Sequence, residues 1–331
     1  MSVCAVWLHG NYTSPYLPVA RARASEKKLQ AKCNCYSRRV NGLLVIDKPG
    51  GMTSHDVVAR LRRVTGEKSI GHLGTLDPMA TGVLPLLMGK YTRLAQYFSS
   101  AEKSYTGTIR FGFATDTYDA EGKASGPDLA PSLNLEQVRA AAARFHGEMQ
   151  QMPPAYSAKK IAGKPAYKLS REGQPVPLKT ATVNISAFTI TASEGPSAIF
   201  AMNISAGGYV RSVAHEMGQV LGCGAHLSGL RRTQAGAFAL NEAHTLQELE
   251  LLTGQPSALE ALTIHPRLLL PEMPSVTGDA MALGRLRNGA QANFPEFSSA
   301  PMVKVFSTQR ELAGIAKRVA GTLFQPVAVM G

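Results

Sequence analysis

The sequence predicts an α+β protein with a small strand-rich unit at its C-terminal end. Three observations lead there. Alternating, β-branched runs such as Lys103–Gly112 and Ala181–Ile190 are interleaved with segments whose apolar residues recur at helical spacing. The glycine pairs at 207–208 and 222–224 lack the GxGxxG spacing after a buried strand that a dinucleotide-binding sheet requires. Beyond a proline-spaced stretch, about sixty residues hold three further strand patterns, a size that favours a small barrel-like unit over a helical one.

In chain order, residues 1–40 carry no useful period and read as a disordered extension. Folded sequence begins at Asn41 with a short apolar strand that runs into the turn Pro49-Gly50-Gly51. Thr53 or Ser54 can cap a helix whose Val57, Val58, Leu61 and Val64 share one face, and Gly66 ends it. A glycine-rich turn at 71–85 leads to the apolar run Val83–Met88, closed by Gly89, and to a helical segment Thr92–Phe98. After strand 103–112, the residues to Pro131 form a loop, and Leu135–Phe145 has helical periodicity. Strands follow at Ala181–Ile190 and Ala198–Ser205. Gly207-Gly208 then opens a helix with Val213 and Met217 on its buried face, and a second glycine-rich piece, 221–233, ends in Leu230-Arg231-Arg232. Leucines at 246–262 are helical core, and Pro266, Pro271 and Pro274 mark a hinge at 263–275. The last unit contains a helix near Gly278–Leu283, a turn at Gly289, and strands at Met302–Phe306, Leu312–Ala316 and Pro326–Val329.

The formal charge of +12 favours a polyanionic partner, although an anionic membrane surface would attract the same charge. Half of it lies in residues 1–40, where seven basic residues face Glu26 alone. There is no signal peptide and no long apolar helix, so the expected location is the cytoplasm. Cys4, Cys33, Cys35 and Cys223 are too few and too irregular for a disulfide framework or a zinc site, and read as free thiols.

The chemically richest stretch is Gly71-His72-Leu73-Gly74-Thr75-Leu76-Asp77-Pro78-Met79-Ala80-Thr81-Gly82-Val83-Leu84-Pro85. Pro78 restricts Asp77 to extended geometry, so its carboxylate is presented from a rigid turn rather than from a helix surface. An Asx-turn, in which the carboxylate bonds only its own backbone, fits the same pattern. Between Gly147 and Pro175 the chain interleaves Tyr156, Lys159, Lys160, Lys164, Tyr167, Lys168 and Arg171 with few acids. Lysines can pair phosphates while tyrosines stack bases, although a solvated face accounts for the lysines equally well.

Together these motifs resemble the TruB family of tRNA pseudouridine synthases. The resemblance rests on GHxGxLDPxAxGxLP at 71–85, KSY at 103–105, QxPPxYSAxK at 151–160, GYVRS at 208–212 and GCGAHxxxLRR at 222–232. It implies a pseudouridine-synthase catalytic domain over 41–265, with a central twisted, mainly antiparallel sheet flanked by helices. Residues 147–175 would be an RNA-binding flap, and 272–331 a small PUA-like β-barrel domain that binds RNA. It also implies isomerisation of uridine 55 in the tRNA T-loop, without cofactor or metal, by a monomer whose C-terminal domain touches the acceptor stem. The runners-up are a superfamily relative acting on ribosomal or guide-RNA targets and a non-catalytic tRNA-folding chaperone. The first forty residues depart from the family pattern.

By the same resemblance Asp77 is the nucleophile, with Tyr105 and Arg211 as its catalytic neighbours. A guanidinium at Arg211 would keep Asp77 ionised in forked geometry, and a phosphate contact is the alternative for that arginine. Tyr105 would stack on the extracted uracil, Tyr209 and Leu230 would form apolar walls, and His72 and Lys48 complete the substrate-binding set. For His72 a plain core position is the competing reading. Tyr156, Lys159, Lys160, Lys164 and Lys168 would belong to the flap.

Overall fold

The computed structural model describes residues 40–157, 160, 161, 164–166, 169, 172 and 177–330. Residues 1–39, Lys159 and Lys168 lie outside the described residues, and Lys160 and Lys164 are described by backbone alone.

A large sheet runs in the order β1 (Gly42–Lys48), β3 (Thr81–Met88), β10 (Ala225–Ala235), β4 (Lys103–Phe111), β9 (Ser197–Ile204), β8 (Ala181–Glu194), β5 (Gly147–Gln151). Every neighbouring pair on that path is antiparallel except β3 and β10. Short β2 (Ile70–His72) and β11 (Phe238–Ala239) pair β3 and β10 off the path, and β6 (Lys160–Ile161) and β7 (Lys164–Pro165) form a separate hairpin. Helices α1 (Ser54–Thr65), α2 (Leu135–Ala143) and α3 (Val210–Val220) pack on the sheet. The short helices α4 (Leu246–Leu251) and α5 (Pro256–Ala261) also carry core leucines. Thr53 caps α1 in a reciprocal box with Asp56, and Gly66 closes it in the left-handed conformation at φ +69°. Residues 89–98, which carry the helical period, form a run of 3₁₀ turns.

The apolar run of β1 has a simple cause. Leu44 and Ile46 face a core shared with α1 and α3, whereas Leu43 and Val45 face a second core built with the C-terminal residues Phe306, Leu312, Ile315 and Ala328. A strand covered on both faces loses its polar alternation. The C-terminal unit is a five-stranded half-barrel in the order β12 (Ser275–Thr277), β14 (Met302–Phe306), β15 (Leu312–Ala320), β16 (Leu323–Val329), β13 (Ala292–Asn293), with α6 (Ala280–Arg287) against it.

One expectation changes. The segment read as a hinge is packed: Leu269 and Leu270 belong to the second core, and the buried Lys304 Nζ donates to the carbonyls of Arg267 and Leu269 at 2.8 and 2.6 Å. Pro266 opens a 3₁₀ turn over 266–268, and the buried lysine satisfies carbonyls in it and just after it. The glycine-rich run at 221–233, which the sequence left without an element, is mostly β10, a strand inside the sheet. Gly107 allows close packing there: a Cβ on it would lie 2.5 Å from the Gly229 carbonyl oxygen and 2.7 Å from the Phe200 ring. Among the described residues, no helix is long and apolar enough to cross a membrane.

Candidate active site

Asp77 sits in the turn between β2 and β3, and three buried side chains from other elements hold that turn by its backbone. Ser54 Oγ, at the start of α1, accepts from the Leu76 N–H at 2.8 Å and donates to the Leu76 carbonyl at 3.1 Å. Arg232 of β10, fully buried, donates to the carbonyls of Val83 (2.7 Å), Gly74 (3.0 Å) and Thr75 (3.4 Å). Lys48 Nζ, at the end of β1, donates to the carbonyls of Met52 (2.6 Å), Pro49 (2.9 Å) and Pro78 (3.2 Å). Gly82 has φ +99°, and a Cβ there would come within 2.1 Å of the Arg232 carbonyl oxygen, so only glycine lets β3 meet β10.

The Asp77 carboxylate is engaged by Arg211, which settles the turn-only alternative against it. Arg211 Nη2 donates to Asp77 Oδ1 at 3.0 Å, and Nε lies 2.9 Å from Oδ2 with its N–H out of line. Arg211 occupies the first turn of α3 and is 5% exposed. Its other donors are also used: Nη1 reaches the Thr117 carbonyl at 3.1 Å and Asp119 Oδ2 at 3.4 Å, and Nη2 also reaches the Tyr156 carbonyl at 2.9 Å. Asp119 is itself buried and accepts from Thr117 Oγ1 at 2.6 Å and the Glu121 N–H at 3.1 Å. One guanidinium thus joins two carboxylates and two loops.

Asp77 keeps 31% of its side-chain surface open, and that surface faces a cavity of about 570 Å³. Tyr105, Tyr209, Leu230, Arg211, Lys103 and Gln151 line the same cavity. Gln151 is buried and grips the Tyr209 backbone with both amide atoms, accepting from its N–H at 2.8 Å and donating to its carbonyl at 3.0 Å. Loss of hydration pushes the Asp77 pKa up, aided by the nearby Asp119 charge and opposed by Arg211 and Lys48. Burial is likewise the main cause that lowers Lys103, with Arg232 adding to it, and burial brings Lys48 down to about 8.

Two expected substrate contacts lie elsewhere. Lys48 does not line the cavity: it is fully buried and its ammonium is used by three carbonyls, so it supports the aspartate turn from beneath. His72 is half-buried at the end of β2 and also outside the lining; its Nδ1 is buried without a partner, and burial, then Arg232 and His55, lower its pKa. Tyr156 is half-buried and is joined to the site by its carbonyl. Nothing in the sequence tied Ser54, a helix-cap candidate, Gln151, within the expected flap, or Arg232 and Asp119 to the aspartate. A fully buried arginine looks like any surface arginine in a sequence, and only the paired arginines of 222–232 marked the place.

Comparison with known proteins now decides the family. Residues 62–210 match the model of the TruB family pseudouridylate synthase N-terminal domain, and 211–266 match that of the tRNA pseudouridylate synthase B C-terminal domain. A tRNA pseudouridine synthase B from Solibacter usitatus is 43% identical over 294 residues, 88% of this chain and 100% of that protein. The chain belongs to the TruB family. A second member, from Opitutus terrae, is 46% identical over 215 residues, 65% of this chain and 89% of its own. Among solved structures, a Cbf5–Nop10–Gar1 complex is similar at a TM-score of 0.64 and 23% identity, covering 88% of this chain and 85% of that one. That likeness shows the pseudouridine-synthase fold, with the C-terminal half-barrel corresponding to a small PUA-like domain. In this TruB-family chain the boundary between the two family models falls at Val210/Arg211, so the Asp77–Arg211 pair stitches one matched region to the other.

Proposed function

We propose that the protein isomerises uridine 55 in the T-loop of tRNA to pseudouridine, with Asp77 acting at the C1′ region of the ribose. The observation that carries this is a carboxylate on a rigid turn at the wall of a cavity, held by an arginine whose two terminal nitrogens are also bound to the Thr117 and Tyr156 carbonyls. The 43% identity to a tRNA pseudouridine synthase B over that protein's full length supports tRNA as the substrate class.

The reaction breaks the bond from C1′ to N1, turns the uracil and joins C1′ to C5. A carboxylate at the ribose serves the first step, as in sugar-transfer chemistry. Arg211 keeps its two oxygens oriented and opposes the loss of charge that burial favours. Tyr105 stacks on the detached base while Tyr209 and Leu230 wall it in, so that the base is retained and water is kept out. The uridine must leave its stack to reach Asp77, and recognition of the folded arm is mainly by shape and backbone. In this reading the enzyme is a cytoplasmic monomer without cofactor or metal. Residues 147–175, which include Tyr156, Lys159, Lys160, Lys164 and Lys168, face the T-arm, His72 meets the RNA beside the cavity, and 272–331 meets the acceptor stem.

The test uses an unmodified tRNA transcript and a second one with the T-loop uridine replaced by cytidine, with pseudouridine mapped in each. Asp77→Asn should abolish turnover and leave tRNA affinity within a few-fold, because the carboxylate acts in the transition state rather than in docking. Retention of even a few per cent of turnover, with deamidation excluded, overturns the assignment of Asp77. Pseudouridine at another site in the cytidine transcript overturns the assignment of the target.

A further inference from the structure

Tyr118 is one of three non-glycine residues with positive φ, at +66°, among the described residues. A tyrosine resists that conformation, so its surroundings must hold it there. The backbone is pinned at both ends: the Tyr118 N–H donates to Thr115 O at 3.2 Å, and its carbonyl accepts from the Leu227 N–H at 3.0 Å. The ring lies flat on the imidazole of His215, with centroids 3.8 Å apart and planes at 13°.

This stack stands behind the catalytic pair. His215 lies one turn after Arg211 on α3, so both side chains point from the same helix face. The residues on either side of Tyr118 are those that hold Arg211 from behind: Thr117 by its carbonyl and Asp119 by its carboxylate. The helix and the loop therefore meet at two successive points, the ion pair and the ring stack. His215 contributes a flat surface there. Its Nδ1 is buried without a partner and its Nε2 contacts Gln219 at 3.0 Å, so no hydrogen bond joins it to the loop.

We propose that Tyr118 and His215 are positioning residues for the reaction, their stack locking the 115–121 loop onto α3 so that Thr117 and Asp119 aim Arg211 at Asp77. This rests on Asp77 and Arg211 being the reacting centre. Neither ring is given a contact with RNA. Removing the stack should therefore lower the chemical step and spare binding.

The experiment measures single-turnover rate and tRNA dissociation constant for His215→Ala, His215→Phe, Tyr118→Ala, Tyr118→Gly and the double alanine variant. Melting curves confirm that each is folded at the assay temperature. His215→Ala and Tyr118→Ala should slow the chemical step by about 10- to 100-fold, the range expected for sub-ångström misplacement, with affinity within about two-fold. His215→Phe keeps a flat ring and should restore the rate to within about three-fold of wild type. Tyr118→Gly relieves the backbone and still lacks the ring, so it should be as slow as Tyr118→Ala. The double variant should be no slower than the worse single one. A wild-type rate in His215→Ala overturns the proposal, as does a His215→Phe rate as low as that of His215→Ala. A loss carried wholly by binding also overturns it, since the rings would then be RNA contacts. If a histidine variant fails to fold, the Tyr118 pair decides alone. Full turnover in Asp77→Asn would instead strike the reading of the reacting centre, independently of these outcomes.

Discussion

Ser54→Ala is a small change with a calculable effect, because the serine hydroxyl is shared by both backbone groups of Leu76. It accepts from the Leu76 N–H at 2.8 Å and donates to its carbonyl at 3.1 Å, and both residues are at most 3% exposed. Alanine fits the space and offers neither group a partner. A buried backbone group left unsatisfied costs about 1–3 kcal/mol. The carbonyl, with two lone pairs, tolerates the loss better than the N–H. A fall of about 2–4 kcal/mol in unfolding free energy follows for the two together. Part of that will be relieved by local opening of the turn, which moves Asp77, so the chemical step should slow by about ten-fold or more. Urea titration gives the first quantity and single-turnover modification of a tRNA transcript the second. Ser54→Thr retains the hydroxyl and serves as the control for polarity. An alanine variant with a loss under about 1 kcal/mol and a wild-type rate would show that the hydroxyl is not what holds the turn.

Activity should be bell-shaped in pH. Asp77 works as a carboxylate and its pKa is raised, so the acid limb should lie above the usual carboxylate range; stability shifts the other way, declining as pH climbs from the unfolded carboxylate value through the raised one. Lys48, brought down to about 8, should set the alkaline limb, since the neutral amine has two N–H donors for the three carbonyls that the ammonium holds; Lys48→Met should remove that limb and lower the plateau, and an unchanged limb would refute the assignment. Gly82→Ala should fail to give folded protein or lose several kcal/mol by melting, because its Cβ would meet the Arg232 carbonyl oxygen at 2.1 Å in a positive-φ conformation. Gln151→Leu should weaken the binding of a tRNA carrying a trapped fluorinated uridine, because the Tyr209 N–H loses its partner and its carbonyl keeps only the Val213 N–H; unchanged affinity would show that Tyr209 is fixed without it.

What could be read from the sequence was local. The caps and the periodic face of α1, the strand at 103–112 and the strands at 302–306, 312–316 and 326–329 follow from short-range pattern, although the last two run on over 312–320 and 323–329, and the turn at 71–85 announced its aspartate by proline and glycine alone. The sheet strand β10 could not be read that way. Its glycines give no strand signal, and the carbonyl of Gly229 shows its place only once Gly107 of β4 is set against it. The same holds for the site. Asp77 and Arg211 were found because each sits in a dense motif, but they are 134 residues apart, and the groups that hold them, Ser54, Thr117, Asp119 and Arg232, carry no local signal of burial.

Net charge was the weakest guide, and the structure explains why. Lys48, Arg211, Arg232 and Lys304 are all buried, and each donates to backbone carbonyls inside the fold. None of these four is presented to a phosphate. A positive count in the sequence therefore mixes two populations: cations that bind backbone within the protein and cations that meet a polyanion outside it. Lys304 braces 267–269, whereas Lys48, Arg211 and Arg232 fix the geometry of the Asp77 carboxylate, which under the proposed function is held still while a base is detached, turned and rejoined. Lysine and arginine reach the turn's carbonyls from β1 and β10, and Arg211 reaches the carboxylate from α3. The long, multi-donor side chains that suit RNA recognition also suit bracing a loop from a distance, and only burial separates the two uses.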